Sequence, residues 1–301
     1  MGNQGTGYDP ELYAKRAASF GAVAAEYAAH RPDYPAAAIQ WALAPATQHA
    51  PTDQQAPENQ GAAEDQHAPE DQGATGDQHA AGGQGAPARR LHVLDLAAGT
   101  GKLTRGLLAL GHRVTAVEPD PAMLDELRRQ APQATALSGS AEDIPLPDAS
   151  VDAVVVGQAI HWFDQDKALP EIARVLRPGG ALATLSNAED DRVPWVAGAG
   201  DVSPTQVSYL GWATSPGRRI EPHPDFSPAV DADFPHAMRR TVESLVATVA
   251  THSHILVMEE AEREAVKAGL RDYLRAQPET AEGEFDLPMV TRVQRCVRSG
   301  G

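Results

Sequence analysis

A regular alternation of strand-like and helix-like segments between Arg90 and Asn187 constrains the fold of this chain more than any other feature. Helical periodicity marks three segments, KLTRGLLAL, PAMLDELRRQ and QDKALPEIARVLR. Five strand-like segments alternate with them: LHVLDLA, RVTAVEP, ATALSGS, VDAVVVGQA and ALATLSN. The segment VDAVVVGQA is apolar on both faces, which is typical of a central parallel strand. The alternation predicts an α/β fold with a doubly wound parallel sheet.

The segments on either side are less regular. Residues 8–43 follow a helical pattern, which Pro32 and Pro35 interrupt in the sequence RPDYP because proline cannot continue a helix. After Asn187 the signal is weak as far as Pro235. Two helices, TVESLVATVA and EEAEREAVKAGLRDYLRAQ, and a final strand, PMVTRVQRCVR, are predicted beyond it.

Residues 45–89 interrupt the fold with low-complexity sequence. The units EDQHAPEDQGATGDQHA and TDQQAPENQGA nearly repeat, and large apolar side chains are missing from them. Such a segment cannot bury enough surface to offset the entropy of ordering it, so we expect a disordered insertion. It contains His49, His67 and His79, but their spacing is too wide for a local metal site, and we expect no metal.

Composition excludes several functional classes. The net charge is −16, and even without residues 45–88 the chain has 34 acidic residues against 25 basic ones, so we expect no nucleic-acid partner. The single cysteine, Cys296, excludes an intrachain disulfide and a cysteine-built zinc site, and favours a reducing, cytoplasmic location. No apolar run approaches the ~18 residues of a membrane span. The start MGNQGT fits a myristoylation pattern, which we interpret as a chance match.

The stretch VLDLAAGTGKLT identifies a ligand loop, and three loop chemistries compete for it. A phosphate-binding P-loop fails because Leu103 follows Lys102 and Leu96 occupies the first glycine position. A dinucleotide loop fits Gly99 and Gly101 only in part, because its third glycine is replaced by threonine. A carboxylate at Asp95 would also repel a pyrophosphate, so NAD is the less favoured ligand.

S-adenosylmethionine is the third candidate, since it carries a sulfonium, an ammonium and a carboxylate but no phosphate. Asp95 at the strand end can accept hydrogen bonds from the ammonium. Glycines let the backbone approach the ligand, and the N–H groups at the helix start suit its carboxylate. Glu118, nineteen residues after Gly99, can accept both ribose hydroxyls. That acid suits NAD and S-adenosylmethionine equally.

Four motifs in order, VLDLAAGTGKLT, VEPDPAMLDELR, GSAEDIPLPDASVDAVVVGQAIHWFD and RVLRPGG, give the chain a family resemblance. It resembles the class I S-adenosylmethionine-dependent methyltransferases, in particular the type 11 small-molecule branch of trans-aconitate-methyltransferase-like and quinone-biosynthesis-like enzymes. The opening FGAVAAEYAAHRPDYP is also similar to that branch. The resemblance implies a Rossmann-like seven-stranded sheet, order 3-2-1-4-5-7-6, with strand 7 antiparallel and helices on both faces.

The resemblance also implies roles for individual residues. Glu118 would hold the ribose, and Gln158 would contact the methionine moiety. Glu142 is preferred to Asp143 as the carboxylate at the adenine edge, where the Ala141 backbone would also contribute. The remaining expected contacts are Asp95, Ala97, Gly99 and Gly101 around the methionyl group, and Met123 against the adenine. Ala97 stands where many relatives have the first glycine of the loop.

Three further residues remain open between a functional and a structural role. Tyr27 and Arg31 lie four apart on one helix face, and Arg31 would bind the cofactor carboxylate or a substrate acid, or form a surface ion pair. His161 in HWFD would accept a proton, orient the substrate or simply pack beside Trp162. Methyl transfer is an in-line displacement in which alignment supplies most of the acceleration, so a dedicated base is optional.

The sequence thus predicts a methyltransferase that uses S-adenosylmethionine to methylate an O, N or C atom of a small molecule. The alternatives are an NAD-linked oxidoreductase and a non-catalytic cofactor-binding protein of the same fold. Four parts are expected: an N-terminal helical lid (1–44), the insertion (45–89), the cofactor-binding half (90–187), and a C-terminal part (188–301) that completes the sheet and the acceptor pocket. The sequence does not define the oligomeric state.

Overall fold

The computed structural model describes residues 32–49, 89–203, 209–214, 218–250, 252, 255 and 258–300. Tyr27, Arg31, most of the expected lid and most of the insertion lie outside these residues. The strands are β1 (His92–Leu96), β2 (Arg113–Val117), β3 (Thr135–Leu137), β4 (Val151–Gly157), β5 (Leu176–Glu189), β6 (Val230–Thr241) and β7 (Glu284–Val297). The helices are α1 (Ala36–His49), α2 (Lys102–Ala109), α3 (Pro121–Gln130), α4 (Gln165–Val175), α5 (Pro194–Val202), α6 (Tyr209–Thr214), α7 (Val242–Ala250) and α8 (Glu260–Ala276).

The seven strands of the described part form one sheet in the order β3-β2-β1-β4-β5-β7-β6. Neighbouring strands from β3 to β5 are parallel, whereas β7 runs antiparallel to both β5 and β6. The predicted fold class, strand order and antiparallel strand 7 are therefore confirmed. All the parallel strands point their carboxyl ends at one edge of the sheet.

Helices cover both faces of the sheet, because the central strands are apolar on both sides. Val154 and Val156 of β4 pack in one core cluster with Ile172 of α4. The intervening Val155 packs on the opposite face in a cluster that includes Leu107 of α2 and residues of α1. The doubly wound arrangement follows from this two-sided burial.

Two elements differ from the sequence prediction. Helix α1 continues past Pro45 to His49 and so extends beyond the boundary expected at residue 44. Ala38, Ala42 and Ala46 repeat every four residues and are at most 2% exposed. Because this helix face stays buried on both sides of Pro45, packing stabilises the helix beyond the proline. Strand β6 was not predicted, because an edge strand with one exposed face and an internal Pro235 lacks a strong apolar pattern.

A third core cluster completes the molecule at the β6–β7 end of the sheet. Trp195 of α5, Leu245 of α7 and Leu270 of α8 pack there with Phe285 and Leu287 of β7. These helices cover the part of the β6–β7 pair that extends past the last residue of β5. In the described residues, no helix combines the length and apolar character needed to cross a membrane.

Candidate functional site

The carboxyl ends of β1, β2, β4 and β5 surround a cavity of about 660 Å³, a size typical of small-ligand sites. Ligands of open α/β sheets bind at this edge, where the strand order reverses between β1 and β4. Its wall contains Pro32, Tyr34, Asp95, Ala97, Ala98, Gly99, Thr100, Lys102, Leu103, Glu118, Pro119, Asp120, Pro121, Met123, Gly139, Ser140, Ala141, Glu142, Gly157, Gln158, Ala159, Trp162, Phe163, Asp164, Lys167 and Asn187.

The loop between β1 and α2 lines the cavity, and three of its residues have unusual backbone angles. Ala97, Gly99 and Gly101 have φ values of +57°, +57° and +84°, in the left-handed region that favours glycine. A Cβ placed on Gly99 would meet no atom of the described residues within 4 Å apart from its chain neighbours, whereas one on Gly101 would lie 3.2 Å from Cγ of Leu127. Packing therefore explains why Gly101 lacks a side chain. At Gly99 the reasons are the backbone angle and an open cavity wall.

Asp95 is the most deeply buried charged group of the cavity, with 0% exposure. Its Oδ2 accepts a hydrogen bond from Oγ1 of Thr104 at 2.5 Å. Its Oδ1 is buried and has no hydrogen-bond partner among the described residues. Burial, assisted by the nearby charge of Glu118, raises the pKa of Asp95 to about 7. A positively charged ligand group at Oδ1 would offset this burial cost.

Thr100 is a second wall residue with an unsatisfied polar atom. Its side chain is 3% exposed, and Oγ1 has no hydrogen-bond partner in the described part of the chain. Buried polar atoms are nearly always paired in native proteins, so two such atoms around one cavity indicate a ligand that supplies the missing partners. The N-terminus of α2, which starts after Gly101 without a side-chain cap, adds backbone N–H groups to the same side.

Glu118 follows β2 and connects the loop to the neighbouring strand. Its Oε2 accepts from the Gly99 N–H at 2.8 Å, and its Oε1 accepts from the Asp120 N–H at 2.9 Å. Burial raises its pKa, while these two N–H donors act in the opposite direction. Each carboxylate oxygen retains a lone pair for a further donor, such as a ribose hydroxyl.

Another part of the cavity wall contains mainly apolar side chains. Met123 at the start of α3 and Ala141 are 5% and 4% exposed, and Trp162 and Phe163 lie in the same wall. Glu142 also lines the cavity and accepts a hydrogen bond from the Asp164 N–H at 3.1 Å. This combination of apolar surfaces and one carboxylate suits a purine ring with an exocyclic amine.

The ends of β4 and β5 form a hydrogen-bonded group that we call the Asn187 network: Asp33, Gln158, Asn187 and Thr291. Gln158 has φ +58°, and its Nε2 donates to the carbonyl of Asn187 at 2.7 Å. The Asn187 amide donates to the Asp33 carbonyl at 3.2 Å and accepts from Oγ1 of Thr291 at 2.5 Å. Asn187 was missed in the sequence because nothing local distinguishes it from an ordinary strand residue.

The segment before α1 closes one side of the cavity. The Asp33 carboxylate lies 3.3 Å from Nζ of Lys102 and 3.3 Å from Nη2 of Arg105. Tyr34 lies so close to β4 that a Cβ on Gly157 would come within 2.8 Å of its hydroxyl. Burial lowers the pKa of Lys102, although Asp33 acts in the opposite direction.

Comparison with known proteins identifies the family. The family described as "Methyltransferase domain" matches residues 94–184. An uncharacterised methyltransferase of Mycobacterium tuberculosis is 35% identical over 283 residues, covering 93% of this chain and 95% of that protein. The chain belongs to the class I methyltransferase family. An uncharacterised methyltransferase-like protein of Schizosaccharomyces pombe is 36% identical over 191 residues, covering 62% of this chain and 73% of its own.

A solved structure agrees with this assignment. A protein from Anaeromyxobacter dehalogenans, described as a candidate type II methyltransferase, is 29% identical. The match has a TM-score of 0.52 and covers 71% of this chain and 91% of the other. The methyltransferase fold and the order of its strands are thus shared with an independently determined structure.

The predicted site residues of this methyltransferase fall into three groups. Most of them line the cavity: Asp95, Ala97, Gly99, Glu118, Met123, Ala141, Glu142 and Gln158. Gly101 and Asp143 are not part of the wall; Gly101 belongs to the same loop as Gly99 and packs near Leu127. His161 also lies outside the wall, with its ring 4.7 Å from the ring of Trp162. Tyr27 and Arg31 are not among the described residues. In the described ranges, no group of three or more His, Cys, Asp or Glu side chains is arranged to hold a metal.

Proposed function

We propose that this methyltransferase binds S-adenosylmethionine in the cavity and transfers its methyl group to a small-molecule acceptor. The observation that carries the proposal is the Oδ1 atom of Asp95, which is buried in the cavity wall without a hydrogen-bond partner in the described chain. An ammonium group would satisfy it with a charge-assisted hydrogen bond. The unsatisfied hydroxyl of Thr100 and the start of α2 suit the ligand's carboxylate.

The charge of the wall argues against a dinucleotide. Asp95 and Glu118 lie at the ends of adjacent strands, and burial already raises the pKa of both. A pyrophosphate between them would add two further negative charges in a poorly solvated space. Lys102 does not offset this, since Asp33 is its ion-pair partner. The NAD-linked oxidoreductase is therefore the weaker alternative.

Bound S-adenosylmethionine supplies a methyl group already activated on a sulfonium. The residues of the chain would then hold the cofactor and the acceptor, orient them and exclude water from between them. Glu118 would hold the ribose, and the apolar part of the wall around Met123 and Trp162 would hold the purine. The Asn187 network would keep the cavity rigid where β4 and β5 meet. Orientation of this kind supplies a large share of the acceleration in such reactions. A general base at His161 stays a prediction, because His161 lies beside the wall residue Trp162 and does not itself line the cavity.

Calorimetry with adenosylhomocysteine tests the cofactor assignment. We expect binding to wild type, and binding weaker by about 1–3 kcal/mol for Asp95→Asn or Glu118→Gln, because a buried polar partner is lost. Asp143→Asn is the matched control, since Asp143 is next to Glu142 but outside the wall. Binding of NADH in place of adenosylhomocysteine, or equal affinity of all four proteins, would contradict the proposal.

Turnover separates an enzyme from a non-catalytic relative of the same fold. Purified protein is incubated with S-adenosylmethionine and a panel of O-, N- and C-nucleophilic small molecules, and adenosylhomocysteine is quantified. We expect release above the no-acceptor background with at least one class. Tight cofactor binding with no release over the whole panel would favour a cofactor-binding protein instead.

A further inference from the structure

Gln158 uses one of its two amide atoms within the protein and leaves the other to the cavity. The residue follows β4, lines the cavity and is half-buried. Its Nε2 donates to the Asn187 carbonyl at 2.7 Å, and because a carbonyl can only accept, this contact identifies the amide nitrogen. Its Oε1 receives no hydrogen bond from the described residues and is accessible. Gln158 therefore offers the cavity a hydrogen-bond acceptor.

The backbone of Gln158 holds this side chain in place. Its φ of +58° lies in the left-handed region, which costs free energy for a residue other than glycine. Its N–H donates to the Leu185 carbonyl of β5 at 2.9 Å. Backbone strain of this kind persists where the surrounding structure fixes it, and it is concentrated at functional sites. With the backbone and Nε2 both held, the position of Oε1 is set before any ligand binds.

The wall around Gln158 is the part that the proposed cofactor contacts leave over, and we call it the acceptor end. A Cβ on Gly157 would lie 2.8 Å from the Tyr34 hydroxyl and 3.4 Å from Cδ2 of Leu103. The hydrogen bond from Gln158 to Asn187 adds the end of β5 to the same group. The acceptor end thus consists of Tyr34, Leu103, Gly157, Gln158 and Asn187. None of these side chains carries a charge.

The charged residues of the described wall are engaged elsewhere. Lys102 pairs with Asp33 at 3.3 Å, and Lys167 pairs with Asp164 at 2.7 Å. The Asp120 carboxylate accepts from two N–H groups at the start of α3. The proposed cofactor occupies the other three wall carboxylates: Asp95, Glu118 and Glu142. No histidine is among the described residues that line the cavity.

An uncharged end with a fixed acceptor atom distinguishes between classes of nucleophile. A carboxylate would place its negative charge against the lone pairs of Oε1. A hydroxyl can donate to Oε1, but it is a weak nucleophile until a base removes its proton, and an amide oxygen is not such a base. A neutral amine donates an N–H to Oε1 and still has a nitrogen lone pair for the methyl group. The amine is therefore the nucleophile that this end fits.

We infer that Oε1 of Gln158 orients a neutral primary or secondary amine, so that the protein is an N-methyltransferase. This inference rests on the proposed function, since it names the acceptor class of that same reaction. The nitrogen lone pair forms the new C–N bond as the C–S bond breaks, and the electron pair of the C–S bond stays on sulfur. The nitrogen becomes positively charged and then releases a proton to water.

NMR titration of the full chain saturated with adenosylhomocysteine tests the hydrogen bond. The probes are aniline and N,N-dimethylaniline, because both have a nitrogen lone pair but only aniline has an N–H. We expect aniline to bind wild type about fivefold more tightly, the scale of one hydrogen bond. Gln158→Met keeps the length of the side chain without its amide oxygen. It should reduce aniline affinity about fivefold and leave N,N-dimethylaniline affinity unchanged.

Thr291→Val is the matched control, since it removes a hydrogen bond of Asn187 and leaves Oε1 in place. It should bind both probes as wild type does. Adenosylhomocysteine affinity should be the same in all three proteins, because Asp95 and not Gln158 holds the ammonium in the proposed function. After incubation with S-adenosylmethionine, mass spectrometry should detect N-methylaniline from aniline and no methylated product from phenol or benzoate.

Four results would overturn the inference while leaving the cofactor proposal standing. They are no preference of wild type for aniline, equal losses for both probes in Gln158→Met, the same loss of aniline affinity in Thr291→Val, and no formation of N-methylaniline. Weaker adenosylhomocysteine binding by Gln158→Met alone would assign Gln158 to the cofactor and overturn the inference as well. Failure of wild type to bind adenosylhomocysteine would overturn both proposals.

Discussion

The cavity wall around Asp95 and Thr100, which we call the Asp95 wall, and the Asn187 network face the same cavity but are built in opposite ways. The Asp95 wall keeps two buried polar atoms without a hydrogen-bond partner in the described chain. In the Asn187 network the amide and carbonyl groups of Asn187 are bonded within the protein, to partners 104 and 154 residues away in sequence. The first wall has hydrogen-bonding atoms that a ligand can satisfy, whereas in the second the hydrogen bonds are made within the protein. Substitutions in the first should therefore cost binding, and substitutions in the second should cost stability.

The largest expected effect is a pH-dependent stability that Asp95→Asn removes. Burial, with help from Glu118, raises the pKa of Asp95 from 3.8 to about 7, so the folded state holds a proton that the unfolded state has released between these values. Stability from this group is complete below pH ~4 and is lost as pH rises to ~7, by up to about 4 kcal/mol. Asparagine cannot ionise, so the variant should be more stable than wild type at pH 8 yet bind adenosylhomocysteine more weakly.

Urea unfolding at pH 4, 6 and 8 checks this prediction. The difference between Asp95→Asn and wild type should grow with pH, and Asp125→Asn, on the exposed surface of α3, should follow wild type throughout. A constant difference across the three pH values would contradict the burial of an ionisable group at position 95.

Asn187→Leu should have the next largest effect, and it should reduce stability where Asp95→Asn raises it. Asn187 is 2% exposed, and its loss leaves the Thr291 hydroxyl and the Asp33 carbonyl without their partner. We expect destabilisation of about 2–4 kcal/mol in urea unfolding, because buried polar groups lose their hydrogen bonds. The exposed Arg239→Gln variant should stay within about 0.5 kcal/mol of wild type. A loss below 1 kcal/mol for Asn187→Leu would show that the network is not held by the fold in the way described.

Two threonines of the β1–α2 loop region sharpen the contrast. Thr104 donates to Asp95, so Thr104→Val should destabilise the protein by roughly 1–3 kcal/mol. The hydroxyl of Thr100 has no partner to lose in the described chain, so Thr100→Val should leave stability unchanged or slightly higher while weakening adenosylhomocysteine binding by about 1 kcal/mol. Thermal unfolding and calorimetry on both variants give the comparison. Equal destabilisation by the two changes would refute it.

The smallest expected effect concerns Ala97, the loop residue with φ +57°. A left-handed backbone costs an L-residue other than glycine roughly 1 kcal/mol, and the greater freedom of glycine in the unfolded chain offsets part of that gain. Ala97→Gly should therefore raise stability by less than about 1 kcal/mol and leave cofactor affinity unchanged. A clear loss of stability, measured by urea unfolding, would show that the Cβ of Ala97 packs usefully.

The two walls also differ in how far the sequence predicted them. Asp95, Gly99 and Glu118 were identified because turn chemistry and strand ends are local features of a short stretch. The pairing of Asn187 with Thr291 depends on which residues of distant strands lie opposite each other, and no local pattern in the sequence shows this. His161 was suggested by its position after β4; it lies in a single turn of helix at Ile160–Trp162 with its ring beside Trp162, and it is not itself among the residues of the cavity wall.

The course of α1 has a practical consequence. The helix begins beside Tyr34, which contacts Gly157 at the carboxyl end of β4, and it runs past Arg295 to end at His49. The described part of the chain resumes at Arg89, next to the amino end of β1. Both attachment points of the low-complexity repeat therefore lie toward the edge of the sheet opposite the cavity. A fluorophore, an affinity tag or a second protein inserted into that repeat would therefore be attached on the side of the molecule opposite the cavity. We expect such an insertion to leave methyl transfer unchanged.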